Sequence, residues 1–203
     1  MKLPRRAGSR KSDASRQQVL EAALQVLARQ GLGASVQEIA DEAGLSKGSV
    51  HYHFESKDDL VERVLEFACA NMEARIRSAF EAEATPVEKV RAAVAAMWAL
   101  RRDGAPEIRI MTELLSQARQ SERFRNALGG ELRRARAQIL EVGLGALGAM
   151  GLRPRVSPEV IPRILLAGLD GLAIHHIVDP VSPEEETELL RAVEATFLGL
   201  FEL

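Results

Sequence analysis

Apolar residues along this chain return every three or four positions, and no stretch alternates long enough to suggest a half-buried strand. Leu20, Ala23, Leu24 and Leu27 form the first such face. Ser15 and Gln18 ahead of them match a capping box, so a first helix is expected to open at Ser15 and to stop at Gly31 and Gly33. A second box, Ser35 with Glu38, opens a short helix whose inward positions are Val36, Ile39, Ala40 and Ala43, and Gly44 ends it. Ser46 caps a third short helix with Val50 and Phe54 as its apolar pair. Ser56 with Asp59 starts a longer one through Leu60, Val61, Val64, Leu65 and Phe67.

The helical period continues after Thr85-Pro86. Helices are expected over 86–102, from there to residue 118, and from Ser121 into Gly143–Gly151, where the glycines read as a helix end and loop. Ser157-Pro158 signals the start of a helix that is apolar on nearly every side and reaches Asp179, with Pro162 expected to bend or delay it. Pro180 and Pro183 separate it from a last helix led by Glu184–Glu186. The fold class is therefore all-α with about nine helices, a small head and a larger body. Residues 1–12 read as a mobile basic arm, 13–60 as the head and 61–203 as the body.

Composition narrows the function. The 203 residues are 46% hydrophobic and 28% charged, which fits a soluble globular protein. The lone Cys69 allows neither an internal disulfide nor a Cys-rich zinc site, so a reducing cytoplasm is the expected compartment. The longest uninterrupted apolar run, Ala92 to Leu100, is half of a membrane span, and no membrane association is expected. The net charge of −2 hides an asymmetry: residues 1–16 carry six cations against Asp13 alone. Arg5, Arg6, Arg10 and Lys11 are placed to add electrostatic affinity for a polyanion.

Residues 35–54 are two short helices joined by a glycine-containing turn, the arrangement of a helix-turn-helix whose second helix fits a major groove. With Val50 and Phe54 inward, 100° per residue turns Gly48, Ser49 and Tyr52 outward, with His51 and His53 on the flanks and Lys47 at the entrance. That outer face holds no carboxylate. The plain alternative, a purely structural helical hairpin, would ordinarily carry Glu and Lys there.

The stretch from Ser15 to Leu60 resembles the DNA-binding domain of the tetracycline-repressor (TetR) family. The resemblance rests on Ile39-Ala40, the run Ala43 to Val50, Tyr52-His53-Phe54 and Ser56-Lys57-Asp58-Asp59-Leu60. The run Leu169-Asp170-Gly171-Leu172-Ala173-Ile174, with Asp179-Pro180 and the acidic last helix, resembles the betaine-regulator (BetI) type of body. The resemblance implies a homodimeric transcriptional regulator, most simply a repressor, that binds a palindromic operator and is released by a small effector. It places Lys57, Tyr52 and the backbone near Ser46 on phosphate; Gln37 on the first motif helix is expected to read a base, and Ser35 is counted with the DNA-binding residues. His51 stands where the family usually has Tyr, so base preference does not carry over.

Other constellations carry less. His51 and His53 point about 200° apart on a helix and cannot share a metal, and no catalytic set or phosphate loop appears, so neither metal nor cofactor nor enzymatic activity is expected. Phe67, Phe80, Met97, Trp98, Met111 and His175 are candidates to line an effector pocket; core packing is the competing role. Ile164, Leu165, Gly168 and Leu172, with Leu189, Val193, Phe197 and Leu200 of the last helix, are the expected dimer interface. The competing function is an all-α small-molecule carrier or enzyme that uses the hairpin only structurally.

Overall fold

The computed structural model describes residues 7–202 of the chain, and side chains for 12–143 and 145–202. Ten α-helices, one of them a single turn, account for nearly all of its regular structure. The one sheet among the described residues pairs Arg153–Pro154 with Phe201–Glu202, antiparallel. The described chain divides into two compact units, one of residues 7–71 with 106–129 and the other of 72–105 with 130–202.

The first unit is built on α1 (Ala7–Gln30). This helix starts well before Ser15: residues 7–14 contain no proline, and the helix continues through Gly8, Ser9, Ser12 and Asp13 despite their weak propensity. Ser15 is therefore not a cap: its hydroxyl donates to the Ser12 carbonyl at 3.1 Å, within the helix. Arg5 and Arg6 of the expected arm lie outside the described residues. Val19, Leu20, Ala23, Leu24, Val26 and Leu27 bury one side of α1. Against it pack α2 (Val36–Glu42), α3 (Lys47–His53) and α6 (Pro106–Gln117). Placement of α6, with Ile110 and Leu114 buried, in this unit is not visible in the chain order, which carries it among the body helices.

Helix α4 (Lys57–Glu81) gives Leu60, Val61, Val64, Leu65 and Ala68 to the buried set of the first unit. Further along, its Ile76 packs on the second unit's core. That core joins α5 (Pro86–Arg102), α9 (Val160–Val178) and α10 (Pro183–Leu198) around Met97, Trp98, Leu165 and Leu169. Between α7 (Glu122–Gln138) and the single turn α8 (Gly145–Gly148) the chain forms a π-helical stretch over Ile139–Leu144, and the expected helix end and loop come at residues 148–151, later than the first of the glycines. Helix α9 begins at Val160, two residues after Pro158, and Pro162 sits in its first turn, where a missing N–H costs nothing. It is long and apolar enough to cross a membrane by length and composition, yet Ile161, Leu165 and Leu169 are spent on the unit's core.

Three helix starts share one device. In α2, α5 and α10 the cap hydroxyl (Ser35, Thr85, Ser182) accepts from the third helical N–H while Glu38, Glu88 or Glu185 returns a carboxylate to the cap's own N–H. These hydrogen bonds favour the ionised form and hold all three carboxyls below the usual 4.5. A depressed native pKa contributes stability that is present above the unfolded value and lost as pH falls through the native one. Replacing the three by Gln keeps the box but removes its titration. The acid side of a thermal-unfolding profile, below about pH 4.5, is expected to be shallower for this triple variant than for the wild type. Superimposable acid limbs would contradict the capping account.

Candidate nucleic-acid interface

The α2–α3 pair is fixed from inside. Ile39 and Ala40 of α2 and Val50 of α3 are almost completely buried, as is Phe54 at the end of α3. Between the helices Gly44 adopts φ +64°, a left-handed conformation that costs glycine nothing and other residues about 1–2 kcal/mol. The Leu45 N–H then returns to the Ala40 carbonyl at 2.9 Å and closes the turn. Ser46 caps α3 by accepting from the Ser49 N–H at 3.1 Å, and the two serine hydroxyls meet at 2.9 Å.

Two further ties anchor α3 and its exit. His53 Nε2 lies 2.6 Å from Ser15 Oγ on α1. This contact ties the end of α3 to α1. The Arg16 guanidinium lies over the Phe54 ring at 5.4 Å from its centroid. Lys57, at the start of α4, donates to the Leu32 carbonyl and so braces the loop that precedes α2.

These ties divide the residues singled out from sequence. Lys47, Gly48, His51 and Tyr52 are exposed, and Tyr52 is 78% exposed, unusual for an aromatic side chain. Nothing but the Ser46 hydroxyl lies near the missing Cβ of Gly48, so another body can approach its backbone. Ser49 is half-buried with its hydroxyl turned to the cap, His53 is half-buried against α1, and Ser35 is occupied as a cap. Gln37 donates to Asp41 at 2.7 Å along the exposed side of α2. The outward set is thus narrower than the sequence pattern, because helical angle alone does not reveal which polar groups are already engaged.

The second unit holds a cavity of about 630 Å³. Its wall comes from α5, the π-helical stretch, α8, α9, α10 and Phe201, with Val94, Ile139, Leu147, Leu165, Leu190 and Phe197 as apolar lining. None of the six expected pocket residues lines it. Met97 and Trp98 are consumed by the core, His175 is exposed, and Phe67 and Met111 belong to the first unit. Phe80 is covered by the Lys89 ammonium at 5.6 Å. Trp98 Nε1 donates to Glu186 at 2.9 Å, and its ring meets His176 edge-on with centroids 5.7 Å apart. His176 Nδ1 accepts from the Val181 N–H, so of the adjacent histidines this one is a hydrogen-bonded core residue. The sequence offered no sign of the cavity, since a π-helical turn leaves no periodic signature.

The expected interface residues also separate. Leu165, Leu172, Leu189, Val193 and Phe197 pack into the core around Trp98, and Leu200 packs against Phe201. Ile164 and Gly168 face outward. Beside them α9 exposes Val160, Ile174, Ile177 and Val178, the last two at 78% and 82%. Among the described residues no group of three His, Cys, Asp or Glu side chains is arranged to hold a metal ion.

Comparison with known proteins agrees with this division of labour. Residues 19–64 match the family described as bacterial regulatory proteins, tetR family, and residues 86–199 match the BetI-type transcriptional repressor, C-terminal family. The HTH-type transcriptional regulator BetI of Rhizobium meliloti is 30% identical over 177 residues, covering 86% of this chain and 84% of that protein. The regulator PksA of Bacillus subtilis is 27% identical, covering 82% of this chain and 80% of its own length. A TetR-family regulator structure from Mesorhizobium loti superimposes with a TM-score of 0.77 over 95% of this chain and 98% of its own, at 19% identity, and so speaks for the fold. The chain belongs to the TetR family of helix-turn-helix transcriptional regulators, with a body of the BetI type.

Proposed function

We propose that this regulator acts as a repressor: a homodimer reads a palindromic operator with α3 of each copy and lets go when a small molecule occupies the cavity of the second unit. The observation that carries the reading is the outer face of α3. An ordinary solvated helix does not leave a tyrosine 78% exposed beside a bare glycine, with no carboxylate between them. A major groove supplies what that face lacks, namely phosphates for Lys47 and base edges and methyl groups for His51 and Tyr52. Ser46, Gly48 and Ser49 shape the approach, and Ser35, Gln37 and Lys57 border it. His53 acts through its tie to α1, as a positioning residue. The arm residues Arg5 and Arg6 would add affinity without setting register.

Dimerisation follows from the uncovered face of α9. Val160, Ile164, Gly168, Gly171, Ile174 and Val178 recur at helical spacing, and exposed apolar side chains in such a row call for a covering surface. A second copy covers it isologously, and two-fold symmetry matches a palindromic site. Helix α4 runs from the first unit into the second, so a tilt of this helix on effector binding would carry the signal to the head. The effector can weaken operator binding only by its differential affinity for the two states, typically about 1–3 kcal/mol. No side-chain set calls for catalysis, and the protein works where its DNA is, in the cytoplasm.

The test is a titration of DNA flanking the protein's own gene across a salt series. A specific site should emerge whose affinity falls steeply with salt. Lys47→Ala is expected to reduce the salt slope by about one ion, for all sequences alike. Tyr52→Ala should instead cost about 1–3 kcal/mol at the preferred site and much less elsewhere. Binding that ignores both substitutions would remove α3 from the interface.

A second expectation concerns assembly. Nothing lies within 4 Å of the Cβ position at Gly168, so Gly168→Glu leaves the protomer's own packing intact. It should yield folded monomers in sedimentation that have lost operator affinity by at least about tenfold. Dimers that persist in this variant would place the interface elsewhere.

A further inference from the structure

Three ionic side chains reach the cavity of the second unit: Arg91, Arg191 and Glu194. Two of them neutralise each other. Arg91 clamps Glu194 through Nε at 3.0 Å and Nη2 at 2.6 Å, one nitrogen to each carboxylate oxygen. The guanidinium holds the Glu194 carboxyl below the usual range. Arg191 has no ion-pair or hydrogen-bond partner among the described residues. Arg191 is itself exposed, so the cavity is an aliphatic chamber with one unpaired guanidinium at its solvent-facing rim.

We propose that the cavity takes an amphiphilic monoanion, an aliphatic or alicyclic body ending in a carboxylate, with the carboxylate on Arg191. This deepens the effector reading above and rests on it. The apolar wall supplies most of the affinity by removing hydrocarbon from water. Arg191 supplies orientation and selectivity, because a guanidinium offers a carboxylate two parallel N–H donors. The same lining disfavours cations. A quaternary ammonium needs aromatic faces, and the only aromatic lining is Phe197 and Phe201, the latter almost wholly buried in its own cluster. The one carboxylate that could neutralise a cation is already held by Arg91. A volume of about 630 Å³ is ample for a ten-carbon chain and leaves room for a bulkier body.

The proposal is tested by calorimetric titration of the full-length protein with three probes that share one decyl chain: decanoate, 1-decanol and decyltrimethylammonium. Decanoate is expected to bind at least about tenfold more tightly than decanol, and decyltrimethylammonium more weakly than either. Arg191→Gln should bring decanoate down to the affinity that the wild type has for decanol, while Arg191→Lys retains part of the preference. Val94→Trp, which fills the chamber, should abolish binding of all three; Leu190→Phe serves the same purpose if that variant does not fold. Equal affinity for decanoate and decanol, a preference for the cation, or an unchanged decanoate affinity in Arg191→Gln would each overturn the anion assignment and leave the effector cavity standing. Failure of all three probes to bind the wild type would overturn the cavity reading itself.

Discussion

A helix of seven residues has no stability of its own in water, because the cost of its first turn is never recovered. Both α2 and α3 are that short. What makes them helices is the buried contact of Ile39, Ala40, Val50 and Phe54 with the long α1, together with caps at Ser35 and Ser46 and the left-handed turn at Gly44. Everything the head can do depends on this. Because the inward half of α3 is spent on packing, only its outward half is available to DNA, and because the packing is tight, that half is presented in one orientation. The Ser15–His53 contact and the Arg16–Phe54 stacking extend the same logic to the end of α3. The exposed face made of Lys47, Gly48, His51 and Tyr52 thus rests directly on the core beneath it.

The second unit solves a different problem. Helix α9 is apolar nearly all round, and a helix of that kind must be covered all round. One side meets Met97 and Trp98 through Leu165 and Leu169. Another lines a chamber that the neighbouring elements leave unfilled, aided by the wide turn of the π-helical stretch. The third lies bare along Val160, Ile164, Ile174 and Val178. If the proposed effector fills the chamber and a second copy covers the bare side, core, effector and partner meet on one element, and occupancy of the chamber would bear on the bare side without any long-range wire.

How far the sequence foretold this differs by element. The helix starts at Ser35 with Glu38, Ser46 and Thr85-Pro86 were legible and each marks a real beginning, while the box at Ser182 was passed over for the glutamates that follow it. Ser15 with Gln18 has the same spelling and is mid-helix, because a capping box has force only where the chain before it leaves the helix. The hairpin was legible from its caps and its glycine turn, and helical angle correctly turned Gly48, His51 and Tyr52 outward, whereas Ser49 and His53 are engaged inside the unit. The cavity was not, since apolar side chains that line a void and those that fill a core are chemically the same. Met97 and Trp98, chosen for adaptability and size, went to the core for those very properties. The residues expected to face a second copy divide between core and surface, Leu165 and Leu172 packing inward while Ile164 and Gly168 are exposed, because a helix apolar on all sides gives no phase by which to tell inside from outside.

The central claim is that α3 is already formed before DNA arrives, and that DNA then covers its exposed start and outer face. Amide hydrogen exchange, followed residue by residue with and without the operator, tests both parts at once. The account predicts that the amides of Val50 and Phe54, which close on Ser46 and Val50 carbonyls, are protected in the free protein to the same degree as those of α1, and that operator adds protection at Lys47 and Gly48. Free exchange of Val50 and Phe54 before DNA is added, or an α3 start that operator leaves unchanged, would contradict it.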